Sequence, residues 1–166
     1  MREYKIVPYS NDYADQFVVI KKIVEEVFTD NVLQVEHVGS TAVEGLGGKS
    51  TIDVLVIVKN LNEVENLKNK MMLRGYEFLP GAVEGGVLCV KNSGDERLEN
   101  IHLFEQGHDE IKQILMIRDY LRTHPLEVQD YYNYKKTLVE AFPTNYSEYR
   151  RLKDEYFVKL LKRANI

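Results

Sequence analysis

A single cysteine, Cys89, in 166 residues excludes a disulfide framework and any zinc site built on cysteine. Positive charge is not in excess either. Twenty-two basic residues against 26 acidic ones give a formal charge of −4, the wrong balance for a chain that holds nucleic acid through its phosphates. Nucleic acid is therefore not the expected partner, although a local basic pocket stays open. No apolar run is long enough to span a bilayer, and the opening MREYKIVPYSND lacks the apolar core of a secretory leader. A cytoplasmic protein with no membrane attachment is the expectation. Internal repeats, low-complexity tracts and linkers are absent as well. What remains is ordinary globular composition, 44% hydrophobic and 29% charged, in one domain spanning residues 1–166 with a real core.

Taken in order, the chain reads as a sheet-bearing front and a helical back. Ile6-Val7 is a short extended piece before Pro8. Tyr13, Phe17, Ile20, Val24, Val27 and Phe28 recur at steps of three and four, a helix that ends near Thr29. Asn60 caps a second helix, whose inner face is Leu61, Val64, Leu67 and Met71 and whose stop is Gly75. Three β candidates follow at Tyr76–Leu79, Val87–Val90 and Glu99–Glu105, the last two joined by a Gly94-centred turn as an antiparallel hairpin. From His108 the pattern is helical, with breaks at His124-Pro125 and Phe142-Pro143-Thr144 and a new cap at Asn145. The class is α+β, with a mixed sheet of about five strands, flanking helices and a helical C-terminal half.

The chemistry is concentrated between Gln34 and Lys59. A strand through Val35, His37 and Val38 leads into Gly39-Ser40-Thr41. A glycine-rich loop with Gly45, Gly47 and Gly48 comes next, then the apolar strand Ile52–Val58. Asp53 interrupts that strand. A buried carboxylate without a partner costs several kcal/mol, so Asp53 calls for a cation, a metal or a strand-end position. Two readings of the loop stand side by side. Thr41 and Glu44 have the spacing of a capping box. The same loop also suits an anion cradle, in which Ser40 and Thr41 hydroxyls and free amides hold phosphate. Lys49 could reach that phosphate, neutralise Asp53, or only be solvated.

HVGSTAVEGLGGKSTIDVLVIV resembles the signature of the GrpB-like proteins, a group placed in the nucleotidyltransferase superfamily. That superfamily is recognised by a hydrophobic-Gly-Ser turn and a following strand with an Asp-x-Asp or Asp-x-Glu pair, which binds the divalent metal of a nucleoside triphosphate. Gly39-Ser40 and Asp53 match, while Leu55 stands at the second carboxylate. IRDYLRTHP at 117–125 and YKK at 134–136 resemble further family segments, and the likeness runs over nearly the whole chain. It implies a nucleotidyltransferase-like fold, with a nucleotide or other phosphorylated small molecule held by Gly39, Ser40, Thr41, Lys49 and Arg118. It also implies Mg²⁺ or Mn²⁺ on Asp53, catalysis by Asp53 and His102, and transfer of a nucleotidyl group. Two-metal transfer needs several oxygen ligands, and here there is one acid. The alternative is a non-catalytic nucleotide- or phosphometabolite-binding module, accessory to coenzyme A metabolism because some relatives are fused to dephospho-coenzyme A kinase. This chain has no G-x-x-x-x-G-K-S/T loop of its own.

Several residues carry two readings. Arg118 falls within the apolar stripe of Ile111, Ile114, Leu115 and Leu121, so it meets either phosphate or an acid such as Asp53 or Glu36. Asp119 and Arg122 have the spacing of a surface pair. His102 alternates away from Ile101 and Leu103, where an imidazole binds a metal, positions a substrate group or joins the sheet's own hydrogen bonds. Convergence of His37, Asp53 and His102 would make a His/His/carboxylate metal site. Lys153 is a weaker phosphate candidate, and the tyrosines of the back half read as helix packing with hydroxyls at the rim.

Overall fold

The computed structural model describes residues 5–165. In chain order the elements are α1 (Asp12–Phe28), β1 (Val32–Val38), β2 (Ile52–Val58), α2 (Leu61–Met72), β3 (Tyr76–Leu79), β4 (Gly86–Ser93), β5 (Glu96–Glu105), α3 (Asp109–Thr123), α4 (Pro125–Ala141) and α5 (Tyr146–Ala164). The strands form one five-stranded sheet in the order β1-β2-β5-β4-β3. It is mixed: β2 and β5 run parallel, and the other neighbours are antiparallel. The α+β class and the Gly94 hairpin expected from sequence are both present.

Strand alternation divides the core in two. Val54, Val56 and Val58 of β2 and Ile101 and Leu103 of β5 face α1 and α2, where Ile20, Val24, Phe28, Val64 and Met71 complete the larger cluster. Leu55 and Phe104 point to the opposite face with Val38, against Ile111, Ile114 and Leu115 of α3. β2 is apolar on both faces because helices cover both, as its unbroken run predicts. Each such side chain contributes about 1.5–3 kcal/mol by leaving water.

A third cluster fixes the loop between β1 and β2. Val43 and Leu46 of the loop pack with Ile117 and Leu121 of α3, Val128 and Tyr131 of α4, and Leu160 of α5. The helical back half therefore clamps the glycine-rich segment onto the sheet. At its other end Gly48 exchanges two backbone hydrogen bonds with Val7, at 2.8 and 2.9 Å, which is where the expected N-terminal extended piece goes.

Helix ends follow the predicted caps. Asn60 accepts from the Asn62 amide at 2.8 Å, His108 from Glu110 at 3.3 Å and Asn145 from Glu148 at 3.2 Å. The capping box at Thr41–Glu44 does not form. Residues Ser40–Ala42 make one 3-10 turn whose N-cap is Gly39, with no side-chain cap bond. Thr41 is buried instead, and its hydroxyl lies 2.9 Å from His37 Nε2. A tertiary partner has displaced the local one.

Candidate functional site

Gly39 closes the approach between turn and acid. Its φ of 73° lies in the left-handed region, and a Cβ there would stand 2.6 Å from Asp53 Oδ2. Only glycine accommodates both demands, so the Gly-Ser turn rests directly on the carboxylate at the start of β2. Asp53 is not alone. Asn100 Nδ2 donates to its Oδ1 at 2.8 Å, and Arg97 Nη1 donates to Asn100 Oδ1 at 2.9 Å. The parallel register sets Asp53 beside Asn100 and Leu55 beside His102. His102 Nε2 lies 3.9 Å from Asp53 Oδ1, and the two side chains are 26% and 28% exposed. A fixed carboxylate and an imidazole thus reach solvent together at one side of the turn.

Leu55 decides what metal chemistry fits. It is 0% exposed within the α3-facing cluster, so the position where the resemblance leads one to expect a second carboxylate is apolar core. Among the described residues no three His, Cys, Asp or Glu groups gather as a metal site. A two-metal centre does not fit this donor set. One hydrated Mg²⁺ shared between a single carboxylate and phosphate oxygens does, since Mg²⁺ keeps several waters and commonly takes only one or two carboxylates.

His37 does not join Asp53 and His102. The antiparallel register pairs Val38 with Asp53, which turns His37 to the α1 face. There it stacks on Phe17 with ring centroids 4.9 Å apart and planes 8° from parallel. Burial foremost, then Arg122 nearby, pushes its imidazole down to about 4. The His/His/carboxylate site considered from sequence is not formed.

Arg118 meets acids, and with Glu36, His37 and Arg122 it lines a pocket against α1. Its Nη1 donates to Glu36 and, at 3.1 Å, to the His37 carbonyl, while Nε donates to Asp119 at 2.8 Å. Burial raises the Glu36 carboxyl, but hydrogen bonds from Gln34 and Arg118 outweigh it and hold the group below its ordinary value. Arg122 does not pair with Asp119 as its spacing suggested; its Nε donates to the Ala42 carbonyl at 2.9 Å. Lys49 lies on Tyr146, its amine 2.6 Å from the hydroxyl. Ser40 is the predicted residue whose hydroxyl makes no hydrogen bond to another described residue, and it is half-buried at the mouth of the turn.

The structure adds Lys135, which sequence reading passed over. Val128, Tyr131, Lys135 and Leu138 are the buried residues of α4, so a lysine occupies an apolar stripe much as Arg118 does on α3. Its spacing was visible, and the same logic that singled out Arg118 would have found it. Lys135 is 3% exposed, and its amine donates to the Gly47 carbonyl. Burial first, then the charge of Lys153, pushes it down to about 7. Gly48 makes the approach possible, since a Cβ there would strike Ser40 Oγ and stand 3.2 Å from Lys135 Nζ. Ser40 Oγ and Lys135 Nζ therefore both border Gly48.

Comparison with known proteins finds likenesses over most of the chain. The family model described as GrpB protein matches residues 3–163. The UPF0157 protein YqkA of Bacillus subtilis is 31% identical over 157 residues, covering 93% of this chain and 45% of YqkA, so the chain spans under half of that relative. Glutamate-rich protein GrpB of Alkalihalophilus pseudofirmus is 29% identical, with 96% of this chain and 94% of that protein covered. The crystal structure of GrpB from Enterococcus faecalis superposes with a TM-score of 0.90 at 30% identity, over 96% of each chain. A structure of Cid1 in complex with its short product ApU gives a TM-score of 0.55 at 14% identity, over 81% of this chain and 43% of Cid1. The last is a likeness of fold alone. No helix among the described residues is long and apolar enough to cross a membrane.

Proposed function

The chain belongs to the GrpB family, and from that premise we propose that it binds a nucleotide or another phosphorylated small molecule at the junction of Ser40 and Asp53. The observation that carries this is the contact of Gly39 with the Asp53 carboxylate. It sets a hydroxyl without a hydrogen-bond partner among the described residues, and the opening amides of a 3-10 turn, beside a fixed, half-exposed acid. In this reading Ser40 and the turn amides donate to phosphate oxygens. Asn100 holds the orientation of Asp53, which would carry Mg²⁺ or Mn²⁺, and the ion would offset phosphate charge. Arg118 and Thr41 serve the fold, holding α3 and the loop in place.

Binding, rather than nucleotidyl transfer, is the better supported activity, because Leu55 is sealed in the core where a second metal-holding acid belongs. Transfer to an acceptor hydroxyl is the second reading. It is favoured by His102 beside Asp53, placed to accept the acceptor's proton, and by the fold likeness to Cid1, which was captured with a dinucleotide product.

Thermal unfolding against a panel of nucleotides, each with and without Mg²⁺ or Mn²⁺, tests the proposal. Ligand at about a hundred times its Kd adds roughly 2.7 kcal/mol, a rise of roughly 5–10 °C at this chain length. A rise that needs both nucleotide and metal, and is lost in Asp53→Asn, is the expected result. No shift with any phosphorylated ligand overturns it. Pyrophosphate release in the same samples separates transfer from binding.

A further inference from the structure

Lys135 has the environment of a cation waiting for an anion. Among the described residues it is the one buried lysine, and no carboxylate pairs with it. The groups around it come from three directions. From α4 itself the Tyr131 ring lies 4.8 Å from the amine. From the loop come the Gly47 carbonyl and the Ser40 hydroxyl, with Lys49 held on Tyr146 just beyond. From α5 come Tyr149 and Tyr156 around Tyr131, and Lys153, which is 3.2 Å from Asp154. Asp154 is also 3.7 Å from Arg150, so the acid of that region is already engaged by two cations. One carbonyl does not compensate an ammonium taken out of water. A methionine would fill the same stripe without that cost.

Ser40 is half-exposed with a hydroxyl that makes no hydrogen bond to another described residue, and Gly48, with no side chain, borders both that hydroxyl and the Lys135 amine. An anion seated on the turn would receive the hydroxyl and the turn amides from one side and the lysine from behind. We propose that Ser40, its turn and Lys135 form a proton-coupled pocket for a tetrahedral dianion, and that each anion bound brings one proton onto the Lys135 amine. The pocket rests on the assignment of Ser40 as the phosphate anchor and adds to it a second cation besides the metal and a dependence on pH. The dianion is either free in solution or the terminal phosphate of an ester.

The direction follows from the lysine. With its amine near 7 in the free protein, it is already protonated at pH 6, and an anion bound there takes up little. At pH 8 it is mostly neutral, so binding takes up close to one proton and weakens about tenfold per pH unit. Calorimetric titration of the full chain between pH 6 and 8, in two buffers of different ionisation heat, reads both quantities. Sulfate is the first probe because it does not titrate in this range. Inorganic phosphate and a nucleoside diphosphate with Mg²⁺ are the second and third.

The expected result is proton uptake that rises from pH 6 to pH 8 in the wild type and vanishes in Lys135→Arg and Lys135→Met. Uptake with sulfate or phosphate assigns the pocket to a free anion, and uptake with the diphosphate alone assigns it to an ester. Either outcome supports the pocket. Anion binding with no proton uptake, uptake that survives both lysine variants, or no binding of any probe at pH 6 overturns it. The nucleotide site stands or falls separately, on the metal requirement lost in Asp53→Asn.

Discussion

Two helices of the back half each press a long cation into the front half, and the two contacts are built in opposite ways. On α3, Arg118 is 10% exposed and lies against Glu36, Asp119 and a backbone carbonyl. On α4, Lys135 is 3% exposed against one carbonyl, with a second lysine as its main charged neighbour. The arginine is complete without a ligand, and its acids hold it in the charged form. The lysine is not complete, and its surroundings disfavour the charge it would carry in water. Burial alone therefore does not distinguish a structural cation from a ligand-seeking one; the presence of a carboxylate does.

The widest contrast is in stability against pH. Lys135 falls from an ordinary 10.5 to about 7 on folding, so protonation favours the unfolded chain. The penalty is full below pH 7 and is relieved as pH rises towards 10.5, reaching about 5 kcal/mol at 1.36 kcal/mol per unit as an upper bound. Lys135→Met should be more stable than the wild type at pH 6, by less than that bound because the Gly47 carbonyl loses its donor. Its lead should shrink as pH rises past 7, as followed by urea unfolding. A constant difference between pH 6 and 10 would break the contrast.

Arg118→Met should behave the other way. It strands Glu36, whose side chain is 25% exposed, and should cost about 3 kcal/mol at pH 7, the low end for breaking a buried pair. Part of that loss should return at acid pH, where Glu36 is protonated. His37, held near 4 by burial against an ordinary 6.5, destabilises the fold as pH falls from 6.5 towards 4, by up to about 3 kcal/mol. Replacing it with phenylalanine should flatten that acid limb in chemical unfolding. Gly48→Ala is the smallest change, about 1–3 kcal/mol of overpacking. It should weaken anion binding by separating Ser40 from Lys135, an effect calorimetry would resolve.

Much of the fold was legible because local signals agree with each other. Asn60, His108 and Asn145 cap where they stand, Gly94 turns the hairpin, and the doubly apolar β2 required helices on both faces. Gly39, Ser40 and Asp53 were legible as a glycine turn followed by an acid in an apolar strand. What failed depended on register and tertiary partners. His37 reads as a companion of Asp53 until the pairing of Val38 with Asp53 turns it to the other face, and a loop as long as the one between β1 and β2 does not set that parity. Thr41 has the local spacing of a cap, yet the imidazole across the turn takes its hydroxyl. Lys135 sat in a readable stripe, but the lack of an acid beside it is a property of three elements brought together.

The most direct measurement is the titration of Lys135 itself, by NMR of lysine-labelled protein with Lys135→Arg to assign its signal. The midpoint should lie near 7 in the free protein and rise clearly when a tetrahedral dianion saturates the Ser40 turn. A midpoint at the ordinary lysine value that does not respond to the anion would contradict both expectations.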